Sequence, residues 1–400
     1  MAALQAFHRR KGLSMKDDTI LVTAGRDPES NHGVVNPPIY RASTILYPDV
    51  ASLEAPRKLR GVYYGRGGVP TTFDLEDAVA ALEGGHGALV SGSGKTVISQ
   101  ALTAFLQAGD HLLMVDSTYG PTRQFCDRVL SRFGVETTYY DPLIGAGIEA
   151  MIRPNTRIVY LESPGSHTFE VQDVRAIADV AHEHRAVVML DNTWASPLYF
   201  KAFEHGVDVS LHAATKYIGG HSDIMMGIAV AAEPVYERLR LGMQDLGCYA
   251  SPDDCYLAQR GLRTMSVRLE RHHKNGMILA EWLETRPEVA RVLHPALPSD
   301  PGHQLWKRDF KGASGLFGIV LENCSNTAVA AMLDGMRLFG MGYSWGGYES
   351  LMIPSHAERN RTATTWNPEG PCLRIHAGLE DPSDLIADLE SGFERLRQTE

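Results

Sequence analysis

A lysine that closely follows an apolar segment is the first residue with evident chemical potential. Lys216 stands in LHAATKYIGGHSD, between a strand-like run and a glycine-rich turn. Burial lowers the pKa of an ammonium group, and the neutral lysine amine is a nucleophile that forms Schiff bases with carbonyl groups. The competing interpretation is a lysine in a surface loop that only follows the end of a strand.

An aspartate at the end of another apolar segment is the second such residue. Asp191 closes AVVMLDN, where a carboxylate is costly to bury unless it meets a cation. A protonated pyridine nitrogen is such a cation, and pyridoxal phosphate (PLP) needs that proton to withdraw electrons from its substrate. The alternative is an ordinary capping aspartate in DNTW.

The segment SGSGKT, residues 91–96, resembles a nucleotide-binding loop but has the wrong spacing. The P-loop pattern requires glycine where this chain has Leu89. What remains is a glycine-rich turn that opens a helix, with free backbone amides at Gly94 and Lys95. Such a turn favours a phosphate group, and PLP carries one.

The elements that position these residues are six apolar segments separated by helix-length stretches. Strands that are apolar throughout indicate a largely parallel sheet with both faces covered, as in an α/β fold. Ligands of such sheets bind beyond the carboxyl ends of the strands, where Ser93–Lys95, Tyr119, Asp191 and Lys216 fall. The segments are GALVS (87–91), HLLMVDS (111–117), RIVYLES (157–163), AVVMLDN (186–192), VDVSLHA (207–213) and MMGIAVAA (225–232).

The chain of 400 residues exceeds the size of one hydrophobic core, which predicts two domains. Residues 1–60 are rich in proline and polar residues and predict an extended arm that contacts a neighbouring subunit. Residues 61–265 form the predicted α/β domain and residues 266–400 a smaller α+β domain. In the latter we expect strands at 314–322 and 372–380 and helices at about 326–337 and 382–397, after a long helical stretch at about 253–286.

Composition excludes several classes of protein. The net charge of −10 without a basic stripe argues against nucleic acid or an anionic membrane as partner. No apolar run reaches the roughly 18 residues that span a bilayer. Five scattered cysteines indicate reduced thiols and a cytoplasmic protein, and the first 18 residues are only weakly similar to a transit peptide. The histidine pairs 182/184 and 272/273 are interpreted as solvated helix faces, so no metal site is expected.

The sequence from about Thr23 onwards resembles the Cys/Met-metabolism PLP-dependent enzymes, the trans-sulfuration family of PLP fold type I. The segments that carry the likeness are YYGRGG, VYLESPGS, LDNTWASPLYF, AATKYIGGHSD, GYSWGGYESL and LRIHAGLED. The resemblance implies an aspartate-aminotransferase-like fold, with a large, mostly parallel sheet of seven strands. Within the family the chain is most similar to the bacterial cystathionine β-lyases, because it carries ESPGS rather than ESPTNP and has the tryptophan of SWGGY.

The resemblance also implies roles in holding the cofactor. Lys216 would form the Schiff base and later act as acid and base at Cα, and Asp191 would pair with the pyridine nitrogen. Tyr119 would stack on the ring and take part in catalysis. The phosphate would be bound by the backbone amides of Gly94 and Lys95 and by the Thr215 hydroxyl.

Other residues would bind the substrate or complete a neighbouring site. Arg374 would clamp the substrate α-carboxylate bidentately. Tyr343, Ser344 and Trp345 would line the site. Tyr64, also implied in catalysis, and Arg66 would reach the phosphate of the neighbouring subunit, which requires at least a dimer; the family implies a homotetramer, a dimer of dimers.

The implied reaction is L-cystathionine and water to L-homocysteine, pyruvate and ammonia, a step of methionine biosynthesis. Three residues depart from the family pattern: Lys95, Gly67 in place of a second arginine, and Gln124 in place of an acid. The last two, which the resemblance implies lie toward the far end of the substrate, keep open a lyase, β-substitution enzyme or racemase that acts on another cysteine S-conjugate or amino acid. A phosphate-binding ATPase or an idle scaffold is the alternative from outside PLP chemistry.

Overall fold

The computed structural model describes residues 15–400 and contains two β-sheets flanked by helices. The basic start of the chain, for which a transit peptide was considered, lies mostly outside the described residues. The longer helices are α1 (Asp17–Thr23), α2 (Val50–Glu54), α3 (Pro70–Glu83), α4 (Gly94–Phe105), α5 (Gly120–Phe125), α6 (Val174–Glu183), α7 (Ser196–Tyr199), α8 (Glu233–Asp245), α9 (Pro252–Leu262), α10 (Met265–Glu284), α11 (His303–Asp309), α12 (Asn326–Asp334) and α13 (Pro382–Thr399).

The larger sheet has seven strands in the order β1-β7-β6-β5-β4-β2-β3. Strands β2 to β6 run parallel, and β7 is antiparallel to both of its neighbours. The predicted α/β class and mostly parallel sheet are therefore confirmed. The strands are β1 (Gly87–Ser91), β2 (His111–Val115), β3 (Glu136–Tyr140), β4 (Thr156–Glu162), β5 (Val187–Asp191), β6 (Val209–Ala213) and β7 (Gly227–Ala231).

Helices cover both faces of this sheet. Successive strand residues point to opposite faces, so Met189 packs in the cluster of α4 while Val188 and Leu190 pack against α6. Helix α6 buries Val174 and Ile177, as their helical spacing predicted. A strand that is buried on both sides must be apolar throughout, which is why these strands were recognisable in the sequence.

The smaller sheet is antiparallel, in the order β10-β11-β9-β8, and α12 and α13 pack against it. Strands β9 (Leu316–Leu321) and β11 (Cys372–His376) lie within the predicted segments. Strands β8 (Val289–Leu293) and β10 (Leu351–Ser355) were not predicted, and the long helical stretch is two helices, α9 and α10. Both missed strands lie at the edges of the sheet. An edge strand tolerates a proline such as Pro354, and its hydrophobic pattern in the sequence is weak.

The interpretation of the histidine pairs was partly wrong. His182 and His184 are exposed, but His272 is fully buried on α10. Leu269, His272 and Leu279 lie on the buried face of this helix. The charged residues between them made the whole segment look solvent-exposed in the sequence.

Buried histidines make the stability of the protein depend on pH. His294 is fully buried, accepts the backbone N–H of Ala296 at 3.1 Å, and burial lowers its pKa to about 3. The unfolded chain binds a proton at this residue near pH 6.5, so the stabilisation is complete above that pH and is lost as the pH falls from there towards 3.

We therefore expect the wild type to lose stability relative to His294→Asn on acidification. The difference between their free energies of unfolding, measured in urea, should fall by about 2 kcal/mol between pH 7 and pH 5. His184→Asn, the same substitution at an exposed histidine, is the matched control. Parallel curves for the wild type and His294→Asn would contradict a neutral buried imidazole.

Candidate active site

Lys216 lies just beyond the end of β6, and its amine faces a loop of the smaller domain. The Lys216 Nζ donates a hydrogen bond to the Ser344 Oγ at 2.5 Å and lies 5.2 Å from the centroid of the Trp345 ring. Burial, reinforced by the positive charge of Arg374, lowers the pKa of Lys216 to about 8. The lysine is thus not a surface residue, and its amine is readily deprotonated near neutral pH.

Asp191 ends β5, the neighbour of β6 in the sheet. Its Oδ1 accepts hydrogen bonds from the Thr193 backbone N–H at 3.0 Å and the Thr193 hydroxyl at 2.5 Å. Burial raises the pKa of Asp191, although the two bonds from Thr193 oppose this. Within residues 15–400 no donor is bonded to Oδ2, which leaves one carboxylate oxygen for a cationic partner.

The glycine-rich turn begins α4 as the sequence predicted. The Ser93 hydroxyl caps the helix by accepting the Thr96 N–H at 3.0 Å. The N–H groups of Gly94 and Lys95 precede the first intrahelical bond and stay available for an anion. A side chain at Gly94 would lie 2.7 Å from the Ala213 Cβ, so the helix start approaches β6 closely because this residue is glycine.

Arg374 projects from β11, in the smaller domain, towards the Lys216 region. Its Nη2 donates to the Ser344 carbonyl oxygen at 3.1 Å, so Ser344 contacts both the lysine and the arginine. Burial lowers the pKa of Arg374 to about 10, which leaves the guanidinium protonated at neutral pH. A fixed guanidinium of this kind matches the geometry of a carboxylate.

Comparisons with known proteins identify the family. The sequence matches the Cys/Met metabolism PLP-dependent enzymes over residues 18–394. The chain belongs to this family. A putative cystathionine β-lyase of Rhizobium johnstonii is 51% identical over 94% of this chain and 95% of its own length. The cystathionine β-lyase MetC of Escherichia coli is 46% identical over 95% of this chain and 99% of its own.

A solved structure shows the same fold. The cystathionine gamma synthase of Xanthomonas oryzae pv. oryzae, in complex with aminoacrylate and cysteine, is 31% identical with a TM-score of 0.89. The match covers 97% of this chain and 100% of that one. The protein is therefore a PLP-dependent enzyme of fold type I.

The arrangement fits this cofactor. The free Oδ2 of Asp191 suits a pyridinium nitrogen, the depressed pKa of Lys216 suits an amine that reacts with an aldehyde, and the start of α4 suits a phosphate. Thr215 lies one residue before the lysine, where its Oγ1 accepts the Met226 N–H at 2.9 Å.

Tyr119 and Tyr343 expose much of their surface. Tyr119 precedes α5 at the end of β2, and its side chain is 43% exposed. Partial burial of the side chain raises the pKa of the Tyr119 hydroxyl most, and the negative charges of Glu162 and Asp191 raise it further, so the hydroxyl stays protonated. Tyr343 is 91% exposed and flanks the loop without packing against the lysine.

Tyr64 and Arg66 are not joined to the Lys216 region within one chain. Tyr64 is 52% exposed, and the Nη1 of Arg66 donates to the Gln244 carbonyl oxygen at 3.4 Å, on α8. Among the described residues neither has a hydrogen bond to Lys216, Asp191 or the turn before α4. Their intersubunit role remains a prediction.

Sequence reasoning missed Glu162, which lies beside Asp191 in the register of β4 and β5. Its Oε2 accepts the Tyr119 N–H at 2.7 Å and the Thr118 hydroxyl at 3.3 Å. Burial and the Asp191 carboxylate raise the pKa of Glu162 well above its usual range. The sequence feature that could have identified Glu162 is the one that identified Asp191, namely a carboxylate at the end of an apolar segment.

A second missed feature is a buried network at the ends of β5 and β6. Glu83 on α3 accepts hydrogen bonds from Asn192 Nδ2 at 3.0 Å, from the Ser210 hydroxyl at 2.5 Å, and pairs with His212 Nε2 at 2.7 Å. The residues that follow Asp191 and precede Lys216 are thereby tied to one helix, which fixes the two strand ends.

Proposed function

We propose that the protein is a cystathionine β-lyase, which converts L-cystathionine and water into L-homocysteine, pyruvate and ammonia in methionine biosynthesis. The observation that carries the proposal is the contact of Ser344 with both Lys216 and Arg374, in the SWGGY loop typical of β-lyases. The amine that would transfer the proton and the guanidinium that would bind the carboxylate thus contact the same residue. The similarity to named cystathionine β-lyases supports the same substrate.

Bound PLP withdraws electrons from the substrate Cα, which acidifies the proton there. Lys216, as the neutral amine, would accept that proton from the substrate Cα. Arg374 holds the α-carboxylate so that the Cα–H bond is oriented for removal, and Asp191 keeps the ring nitrogen protonated. Tyr119 would stack on the ring, and Ser344, Trp345 and Tyr343 would line the substrate side.

The phosphate would be held by the amides of Gly94 and Lys95 and by the Thr215 hydroxyl. Lys95 is exposed at the start of α4, so its side chain would add a cation beside the phosphate without replacing a buried contact. Tyr64 and Arg66 of a neighbouring subunit would complete the phosphate site.

The arm before residue 61 supports association between subunits. Its apolar side chains are unusually exposed, with Leu46 at 89%, Val50 at 65% and Val35 at 59%. Exposed apolar side chains gathered in one segment mark an interaction surface. We propose that this arm packs on a second copy of the chain, in a homotetramer built from dimers with shared sites, and that residues 61–265 and 266–400 form the two domains.

None of the helices between residues 15 and 400 combines the length and apolar character that crossing a membrane requires. Localisation in the cytoplasm remains a proposal, supported by five cysteines that are all free thiols.

A substrate panel tests the proposed reaction. Pyruvate release from L-cystathionine, with homocysteine as the second product, is the expected result. Release of pyruvate from S-alkyl cysteines alone would shift the assignment to another cysteine-conjugate lyase, and conversion of L- to D-amino acids without pyruvate would make the protein a racemase.

Position 67 is expected to influence the choice of substrate. Gly67 stands beside Arg66, and a Cβ there would meet nothing within 4 Å, so a larger side chain fits. Gly67→Arg should raise kcat/KM for cystathionine roughly tenfold through one charge-assisted hydrogen bond to its far end. S-alkyl cysteines, which lack a charged far end, should react nearly unchanged.

Gly67→Gln is the matched control, because it adds a polar side chain of similar reach without a charge. If Gly67→Arg raises kcat/KM equally for cystathionine and for S-alkyl cysteines, or raises it for neither, position 67 does not recognise the far end of the substrate.

A further inference from the structure

His376 is a buried residue of β11 to which no role has been assigned so far. It stands two residues after Arg374 on the same strand and is only 1% exposed. Its Nε2 lies 3.1 Å from the Gly346 nitrogen and 3.2 Å from the Gly347 carbonyl oxygen. His376 therefore contacts the backbone of the loop that carries Ser344.

A second buried histidine packs against the first. His272 lies with its ring centroid 5.1 Å from that of His376, and its Nδ1 is 2.8 Å from the Ala377 carbonyl oxygen. A carbonyl accepts only, so His272 carries its proton on Nδ1 and leaves a lone pair on Nε2.

His376 Nδ1 and His272 Nε2 are both buried without a hydrogen-bond partner among the described residues. The Gly346 N–H can only donate, and its contact with Nε2 is shorter than that of the Gly347 carbonyl, so we assign the lone pair to Nε2 and the proton of His376 to Nδ1. Burial lowers the pKa of both imidazoles, that of His272 to about 4, so both are neutral at pH 7.

The loop that His376 contacts has strained and tightly packed backbone. Ser344 and Gly346 have φ of +88° and +85°, in the left-handed region. A Cβ on Gly346 would lie 3.0 Å from the Lys216 Cα, so the loop rests directly on the backbone of the lysine. A non-glycine residue in this region is held only by its surroundings, and Ser344 is such a residue.

We propose that His376 is a positioning residue, whose neutral imidazole fixes the loop 344–347 by accepting the Gly346 N–H. Ser344 then holds the Lys216 amine through its hydroxyl and the Arg374 guanidinium through its carbonyl oxygen, at a constant separation. The inference rests on the proposed function in one respect, which is that Arg374 binds the substrate carboxylate.

The chain offers a matched pair of substitutions. In His376→Gln the side-chain amide reaches the position of Nε2 and its oxygen accepts the Gly346 N–H. In His376→Leu an apolar side chain fills the same buried position, but the acceptor for the Gly346 N–H is lost. If the leucine variant does not fold, His376→Asn replaces it, because its shorter amide reaches only the position of Nδ1.

Three measurements on the PLP-loaded enzyme test the positioning role. For His376→Leu we expect the Kd of glycine, a minimal probe of the carboxylate clamp read from cofactor absorbance, to rise about tenfold. KM for cystathionine should rise by a similar factor, with a smaller change in kcat. Hydrogen exchange of the peptide spanning residues 343–348 should become faster. His376→Gln should recover most of all three.

His294→Asn, at a buried histidine whose ring packs on Phe317, is the control for general loss of stability and should leave all three readouts unchanged. Equal effects of the glutamine and leucine variants on Kd, or unchanged exchange in both, would overturn the inference. A wild type that releases no pyruvate would defeat the proposed function, while the exchange of residues 343–348 would still decide whether His376 holds the loop.

Discussion

Lys216→Ala is expected to lower pyruvate release from cystathionine by at least about 10³-fold, because the variant lacks both the amine that binds the cofactor covalently and the base at Cα. The depressed pKa of Lys216 and its bond to the Ser344 hydroxyl indicate an amine prepared for both tasks. The measurement is coupled pyruvate formation by purified variants of equal cofactor content.

The control is Lys307→Ala, since Lys307 is exposed on α11 and has no contact with the site. It should retain wild-type activity. Activity of Lys216→Ala within tenfold of the wild type would contradict the assignment of this lysine as the base.

Mixed subunits are expected to recover activity that neither parent has. If Arg66 serves a neighbour's phosphate, Arg66→Ala and Lys216→Ala are each inactive for a different reason, and a hybrid dimer contains one site with both native residues. Random exchange should then restore roughly a quarter of the wild-type activity, since half the dimers are hybrids with one intact site of two.

Exchange must be shown independently, for example with differently tagged subunits. Within one chain Arg66 donates to the Gln244 carbonyl and not to the residues around Lys216, which motivates the experiment. Demonstrated exchange without recovered activity would place Arg66 outside the neighbouring site.

Most of the larger domain could be predicted from the sequence because its strands are buried on both faces. An apolar segment followed by Asp191 or Lys216 is visible locally, and parallel topology brings such strand ends together. The edge strand β3 could not be predicted in this way, because ETTYY is partly exposed and carries no apolar run.

The contribution of the smaller domain to the site could not be read from local pattern. Ser344 lies 128 residues after Lys216, and nothing in GYSWGG shows that this loop rests on the lysine. Its assignment came from family resemblance alone. His376 was visible only as a strand residue, since its function depends on a contact with the loop across the fold.

The central claim is that PLP is bound covalently to Lys216, and reduction with borohydride tests it most directly. The treatment fixes the cofactor to the lysine that carries it, and peptide mass mapping identifies that lysine. The pyridoxyl group is expected on the peptide containing AATKYIGG, at Lys216. Its recovery on any other lysine, or on none in a protein shown to contain PLP, would contradict the account.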